Sequence, residues 1–259
     1  IHLAGLKSVN ESSTNPLLYY ENNVFGSINI LKAMDEIACK KIIFSSSATV
    51  YGVPNYLPYD EKHYCNPTNP YGESKLAVEK IIADWVQSND KNKGVILRYF
   101  NPIGAHPSGL IGEQPTGIPN NLMPFITQHA IGKLNKLQIF GKDYNTIDGT
   151  GVRDYIHVVD LAKGHISALN YIENLSNFEI FNLGTGKGFS VLQVIKSFEK
   201  MTGISINYNF APRRDGDIDE YFTDVKKSKD LLNWETQLSL DEMTKDSWNW
   251  QSKNPNGYK

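Results

Sequence analysis

Three side chains within one short stretch carry the chemistry most legible in this sequence. The stretch runs from SSSATVYG at Ser45–Gly52 to NPYGESK at Asn69–Lys75. In the second motif Tyr71 and Lys75 stand four positions apart, a spacing that puts two side chains on one face of a helix. An ammonium beside a phenol favours the phenolate and makes the tyrosine a usable base. In the first motif Ser47 supplies a hydroxyl able to hydrogen-bond a reacting oxygen and shuttle its proton while Tyr71 acts. Together the three read as redox chemistry at a carbon bearing a hydroxyl. The pair alone would mean little in a chain with 14 tyrosines; the serine cluster ahead of it sets it apart.

For these groups to meet, a strand must deliver the serines and a helix must begin at the tyrosine. Lys41–Phe44 (KIIF) reads as a central parallel strand whose carboxyl end presents Ser45–Thr49. A helix is expected over Tyr71–Ser88, with Leu76, Val78, Ile81, Ile82 and Trp85 buried, after a surface loop at residues 53–70. Upstream, His2–Gly5 reads as the end of a buried strand, Leu6–Asn15 as a loop, and Pro16–Cys39 as one long helix with Pro16 in its first turn. Gly94–Arg98 is the next strand and runs into YFNPIG at Tyr99–Gly104. Strand, helix and strand in this rhythm imply a doubly wound sheet. In such sheets ligands bind beyond the carboxyl ends of the strands, where SSSATVYG and YFNPIG both fall.

From Ala105 the composition shifts to Gly, Pro and Asn. A helix is expected within Asn120–Gly132, strands at Gln138–Phe140, Arg153–His157 and Glu179–Leu183, and helices at Val158–Tyr171, Val191–Thr202, Val225–Leu232 and Leu240–Lys253. The fold class is therefore α/β: a Rossmann-like doubly wound parallel sheet with a smaller α+β lobe. Residues 1–104 belong to the sheet domain and 105–259 mainly to the lobe, with 152–184 returning to the sheet. GTGKG at Gly184–Gly188 lacks the spacing of a phosphate-binding P-loop and reads as a strand-to-helix turn.

Composition closes off other classes. With 259 residues, 40% of them hydrophobic, the chain can bury a large core. A net charge of −2 argues against nucleic acid as a partner. Cys39 and Cys65 show no metal or disulfide spacing, which fits a reducing cytoplasm. No metal site is expected: the histidines have no ligand spacing, and His157 and His165 read as structural. No apolar run reaches the roughly 18 residues of a membrane span.

Longer motifs make the assignment specific. AGLKSV (Ala4–Val9), YYENNV (Tyr19–Val24), RYFNPIGAHPSG (Arg98–Gly109), GIPNNLMP (Gly117–Pro124), DGTGVRDYIHVVDLAKGH (Asp148–His165), NLGTGKGFSV (Asn182–Val191) and RRDGD (Arg213–Asp217) join the two motifs above. In all of them the sequence resembles UDP-glucose 4-epimerase, a family of the extended short-chain dehydrogenases/reductases. The resemblance implies an isomerase of galactose metabolism that interconverts UDP-galactose and UDP-glucose. The sugar is oxidised at C4 with NAD as a bound prosthetic group, the 4-keto sugar turns over, and it is reduced again.

By resemblance Tyr71 is the base for the sugar 4-hydroxyl, Lys75 its electrostatic partner and a ribose contact, and Ser47 the third catalytic member. The implied cofactor contacts are Ala4, Leu6, Lys7, Asn22, Ser45, Tyr71, Lys75, Tyr99 and Phe100. With the positive nicotinamide and Lys75 both favouring the tyrosinate, the Tyr71 pKa is expected well below its free value. The implied contacts to the sugar and its UDP are Ser47, Ala48, Thr49, Tyr71, Phe100, Asn101, Asn120, Asn121, Leu122, Gln138, Ile139, Phe140, Arg153, Arg214, Asp217 and Tyr221. Two arginines suit a diphosphate through bidentate contacts; Arg213 is the decoy beside Arg214. Asp217 is placed for a ribose hydroxyl, Asn121–Leu122 open a helix whose amides suit phosphate, and Gln138–Phe140 offer backbone and an aromatic edge to uracil. Tyr221 would crowd an N-acetyl group, so UDP-glucose and UDP-galactose are the expected substrates. A homodimer through Pro16–Cys39 and Tyr71–Ser88 is implied as well.

The family's opening GxxGxxG and its acidic ribose contact have no counterpart here. A segment is therefore expected to precede Ile1, and the chain alone is expected to bind NAD poorly and to be inactive. The rivals are a 4-epimerase of UDP-N-acetylhexosamines, pentoses or uronates, a 4,6-dehydratase, and a non-catalytic nucleotide-sugar sensor. A dehydratase needs Asp and Glu for elimination in the loop after the strand, and SSSATVYG has neither; a sensor would not need Ser47, Tyr71 and Lys75 intact.

Overall fold

The computed structural model describes residues 1–115, 117, 119–214 and 216–258. Ile118 and Asp215, inside two of the motifs above, lie outside the described residues. The chain folds as two compact units. The first comprises Ile1–Tyr99, Lys163–Leu183 and Asp224–Trp234, and the second Phe100–Ala162, Gly184–Thr223 and Glu235–Lys259.

The first unit is built on a parallel sheet in which Lys41–Ser47 pairs with Lys93–Tyr99, and Lys93–Tyr99 with Phe178–Leu183. His2 adds a parallel bridge to Phe44 on the other side. Ile42, Ile43 and Phe44, with Val95, Ile96 and Leu97, are buried irrespective of the face they point to, as strands covered on both sides require. The first strand continues past its apolar run through Ser45–Ser47, because the backbone of all three is paired in register with Leu97–Tyr99.

Helix Pro70–Gln87 starts where Asn69 accepts a hydrogen bond from Gly72 N at 2.9 Å, with Pro70 in the first position. Its fully buried face is more polar than the apolar spacing predicts. Val78 and Ile82 are buried as expected, but Ser74, Lys75 and Glu79 join them, while Leu76, Ile81 and Trp85 are only half-buried. The reason is a buried ion pair: Glu79 accepts from Arg98 Nη2 at 2.6 Å and from Nε at 3.0 Å, and from the Ser46 hydroxyl. Burial works against the Arg98 charge, and the Glu79 carboxylate more than restores it. The loop before this helix is anchored, since Tyr59 and His63 are buried and Tyr59 stacks on Tyr51 at 4.8 Å.

The segment Leu6–Asn15 contains a short helix, Val9–Thr14, capped by Ser8; six polar-rich residues carry no apolar period to reveal it. The long helix that follows runs as Pro16–Tyr19, a π-helical stretch Tyr20–Phe25, and Gly26–Glu36, without leaving helical backbone angles at the joints.

The second unit is organised on strand Val152–His157. It pairs in parallel with Asn101–Ile103 and Glu220–Tyr221 and antiparallel with Gly188–Ser190. A separate parallel pair joins Leu137–Phe140 to Tyr208–Ala211. Ile126, Leu137, Ile139, Tyr155, Val194, Phe198 and Met243 form its core. Helices Val191–Thr202 and Leu240–Lys253 both open with capping boxes, Ser190 with Gln193 and Ser239 with Glu242.

Candidate active site

In the first unit, the carboxyl end of strand Lys41–Ser47 and the first turns of helix Pro70–Gln87 gather Ser45, Ser47, Tyr71 and Lys75. Strand register sets Ser47 beside Tyr99. Tyr71 is 9% exposed and Lys75 5%. The Lys75 ammonium donates to the Ser45 carbonyl at 3.0 Å and lies 4.8 Å from the centroid of the Phe44 ring and 5.9 Å from that of Tyr71. Burial lowers its pKa to about 8, against the pull of Glu79 one turn on.

Lys75 by itself does not depress the Tyr71 pKa. Burial of the phenol pushes its pKa up, the neighbouring Tyr99 phenol adds to this, and the Ser47 hydroxyl opposes it. The ammonium is turned to a backbone carbonyl, so desolvation dominates. Ser47 Oγ accepts from Thr49 Oγ1 at 2.9 Å, while Ala48 is buried beside them. The Ser45 hydroxyl shares a hydrogen bond with His165 Nε2 at 2.8 Å. His165, which reads as structural in the sequence, is thus coupled to the strand end that carries the chemistry.

Ala4 and Lys7 are exposed and Leu6 half-buried. Of the two adjacent asparagines, the sequence singles out Asn22, which is exposed, whereas Asn23 is buried. Asn23 Oδ1 accepts from Leu6 N at 2.8 Å, and its Nδ2 donates to Leu6 O and to Ser74 Oγ, each at 3.0 Å. A π-turn pairs i with i+5 and rotates the residues within it relative to an α-helix, so α-helical spacing does not show which asparagine faces inward.

The second unit holds a cavity of about 420 Å³. Asn101, Asn120, Asn121, Leu122, Gln138, Ile139, Phe140, Arg153, Arg214 and Asp217 all line it. It is completed by residues not singled out in the sequence, among them Phe125, Lys136, Tyr144, Tyr155 and Val191; the aromatic that opens the Tyr144–Gly151 turn is the one local signal among these. Asp217 sits between the two arginines, at 3.4 Å from Arg153 Nη2 and 3.1 Å from Arg214 Nε, and accepts from Tyr144 Oη at 3.3 Å. Arg214 lies over the Phe140 ring at 4.9 Å. Asn121 caps helix Leu122–Ala130 by position and donates to Glu113 at 3.2 Å.

Phe100 and Tyr221 are not cavity liners but pack beside it, their ring centroids 6.0 Å apart. Tyr221 donates to Asn101 Oδ1 at 3.0 Å and lies 4.6 Å below the Arg153 guanidinium. Arg213 is bound to Asp143 at 2.9 Å and stacked on Tyr144 at 4.0 Å. The GTGKG turn is pinned by Asp154, which accepts from Thr185 N at 2.8 Å, Thr185 Oγ1 at 2.6 Å and Gly186 N at 3.0 Å. Amides that a phosphate loop would offer to a ligand are thereby spent on a carboxylate, which burial raises to a pKa of about 6. Among the described residues, no three His, Cys, Asp or Glu gather to hold a metal, and no helix is long and apolar enough to cross a membrane.

A parallel sheet with Ser, Tyr and Lys at its carboxyl edge defines an extended short-chain dehydrogenase/reductase. The family profile of GDP-mannose 4,6 dehydratase matches residues 1–247. The UDP-glucose 4-epimerase of Bacillus subtilis is 55% identical over 259 residues, 100% of this chain and 76% of that protein. That of Yersinia pestis is also 55% identical, over 100% of this chain and 77% of its own. A crystal structure of UDP-glucose 4-epimerase from Bifidobacterium longum in complex with NAD+ and UDP superposes with a TM-score of 0.94 at 51% identity, covering 99% of this chain and 77% of that one. The chain belongs to the UDP-glucose 4-epimerase family.

Proposed function

We propose that this protein interconverts UDP-galactose and UDP-glucose by reversible NAD-dependent oxidation at C4 of the sugar. The observation that carries the reading is the cavity of about 420 Å³ with Arg153, Arg214 and Asp217 on its wall. Its size suits a nucleotide, its paired guanidiniums a diphosphate, and its aromatic Phe140 a base. Leu122 and the asparagines before it offer amides to the phosphates.

The first unit supplies the chemistry. Tyr71 takes and returns the proton of the 4-hydroxyl, and Ser47 hydrogen-bonds the same oxygen, with Ala48 and Thr49 beside it. The chemistry supplied by bound NAD is reversible acceptance of the C4 hydride. Ala4, Leu6, Lys7, Asn22, Ser45, Lys75 and Tyr99 would contact the cofactor. The fit is supported by Gly5, where an added Cβ would crowd Asn23 Oδ1 at 3.1 Å and touch Lys75 Nζ at 3.5 Å. Lys75 is a buried cation bonded to a carbonyl, and ribose hydroxyls would complete its shell. A positive charge brought close to Tyr71 would counter the upward pull of burial.

Cys39 and Cys65 are both free thiols, which suits a cytoplasmic setting. The exposed Leu17, Phe25 and Ile37, 80%, 55% and 75% accessible, suit a homodimer. A coupled assay of UDP-galactose conversion to UDP-glucose by the full-length protein, with Tyr71→Phe as control, tests the function. Absence of turnover with native UDP binding would sink it.

A further inference from the structure

The end of helix Leu240–Lys253 and the residues behind it lie along the loop His106–Gln114 and hold it at successive points. Asn249 Nδ2 donates to Pro107 O at 2.7 Å, Lys253 Nζ to Ser108 O at 3.1 Å and Asn254 Nδ2 to Gly109 O at 3.2 Å. Tyr258 continues the row. Its hydroxyl accepts from Gly112 N at 2.8 Å and donates to Gly112 O at 2.9 Å, and its backbone N–H donates to Gln114 Oε1 at 2.6 Å. All of these residues belong to the second unit.

The two segments are shaped to each other. Gly112 lies flush against Trp250, where an added Cβ would run into the indole ring, and the Tyr258 ring packs on the same indole with centroids 5.6 Å apart. Gly257 turns the chain at a φ of 84° over the Gln114 side chain, a backbone conformation that suits glycine. Four of the bonds end on loop carbonyls, groups that a surface loop otherwise leaves to water, so they fix the course of the loop.

Between the two residues that Tyr258 holds stands Glu113. It accepts from Asn121 Nδ2 at 3.2 Å, and Asn121 lines the 420 Å³ cavity and stands at the head of helix Leu122–Ala130. Fixing Gly112 and Gln114 therefore fixes the carboxylate on which this part of the cavity wall rests.

We propose that Tyr258 is a positioning residue for nucleotide binding: it clamps the His106–Gln114 loop and, through Glu113, keeps Asn121 and the helix start in the arrangement that receives UDP. The inference rests on the reading of that cavity as the UDP site. A wall that populates its binding arrangement only part of the time raises Kd by the inverse of that fraction.

The test uses the full-length protein and its Tyr258→Ala and Tyr258→Phe variants. In Tyr258→Ala, Kd for UDP by calorimetry should rise about 3- to 10-fold and KM for UDP-galactose should rise with it, while kcat stays within about twofold. Simple loss of folded protein gives the opposite pattern, a lower kcat at constant KM. Amide exchange at His106, whose N–H bonds to Ile111 O inside the clamped loop, should speed up by about tenfold or more. Tyr258→Phe keeps the ring on Trp250 and removes only the two hydroxyl bonds to Gly112, so it should show the same changes, smaller; it decides the matter if Tyr258→Ala does not fold. Unchanged UDP affinity and KM in both variants overturn the proposal. If the wild-type protein fails to bind UDP, the nucleotide reading falls, and unchanged exchange at His106 would then overturn the clamp, whereas faster exchange supports it.

Discussion

The Lys75 ammonium is hydrogen-bonded to the Ser45 carbonyl at 3.0 Å, and not to the phenol of Tyr71 one helical turn before it. The charge that should activate the base therefore rests on the sheet. The burial that lowers the Lys75 pKa to about 8 also makes its charge costly to the fold.

The sign of that cost can be measured. The folded pKa lies below the unfolded value of 10.5, so between about 8 and 10.5 the unfolded chain binds more protons and stability rises with pH. The contribution is lost as pH falls through 8. Lys75→Met should remove this slope, raise stability at pH 7 by about 1–3 kcal/mol, and abolish turnover. Urea midpoints at pH 7 and pH 10 check it, and an unchanged slope would show that Lys75 is not the group responsible.

Tyr71→Phe keeps the ring that packs at the helix start and removes only the proton carrier. Turnover should fall by about 10²–10⁴-fold, while UDP titrated into the protein binds as before, since the cavity lies in the other unit. Comparable losses in kcat and in UDP affinity would contradict the assignment.

The neighbouring arginines should separate cleanly. Arg214→Ala removes a cavity cation and should weaken UDP binding by about 10- to 100-fold, more at low salt than at high. Arg213→Ala breaks an exposed pair with Asp143 and should cost less than about threefold. Equal effects in calorimetry would mean that the phosphate contact is misassigned.

Tyr221, held by Asn101 and packed on Phe100, is the expected barrier to a bulky substituent at the sugar 2-position. Tyr221→Ser should admit UDP-N-acetylglucosamine, detected as epimerised product by chromatography. A wild-type protein already as fast on that substrate as on UDP-glucose would remove Tyr221 from this role.

Glu79→Ala should be the most damaging of these changes to the fold. It leaves Arg98 buried without its carboxylate and Ser46 without an acceptor, at a cost of about 3–5 kcal/mol. For a chain of this size, calorimetry should show Tm lower by roughly 10 °C.

Much of the frame is legible in the chain itself. Lys41–Phe44 and Gly94–Arg98 show as strands because a parallel strand covered on both faces must be apolar throughout. Helices Val191–Thr202 and Leu240–Lys253 announce themselves by capping serines. Asn101–Ile103, Glu220–Tyr221 and Tyr208–Ala211 do not show, since two to four residues carry no period and their pairing partners lie far off in sequence. Ser74 and Glu79 on the buried face of the catalytic helix escape apolar spacing for a related reason: what makes their burial tolerable is a partner brought from elsewhere, Asn23 for one and Arg98 for the other.

The sequence by itself determined the inventory: a serine at a strand end, Tyr71 and Lys75 one helical turn apart, and the residues that prove to line one cavity. Only the tertiary structure decided that Asn23 and not Asn22 turns inward, that Asp217 stands between Arg153 and Arg214, and that Lys75 faces Ser45. Spacing along a helix reports which residues are neighbours, whereas a pKa and a hydrogen bond depend on desolvation and on the distance to atoms supplied by remote segments, and those are fixed only once the chain has packed.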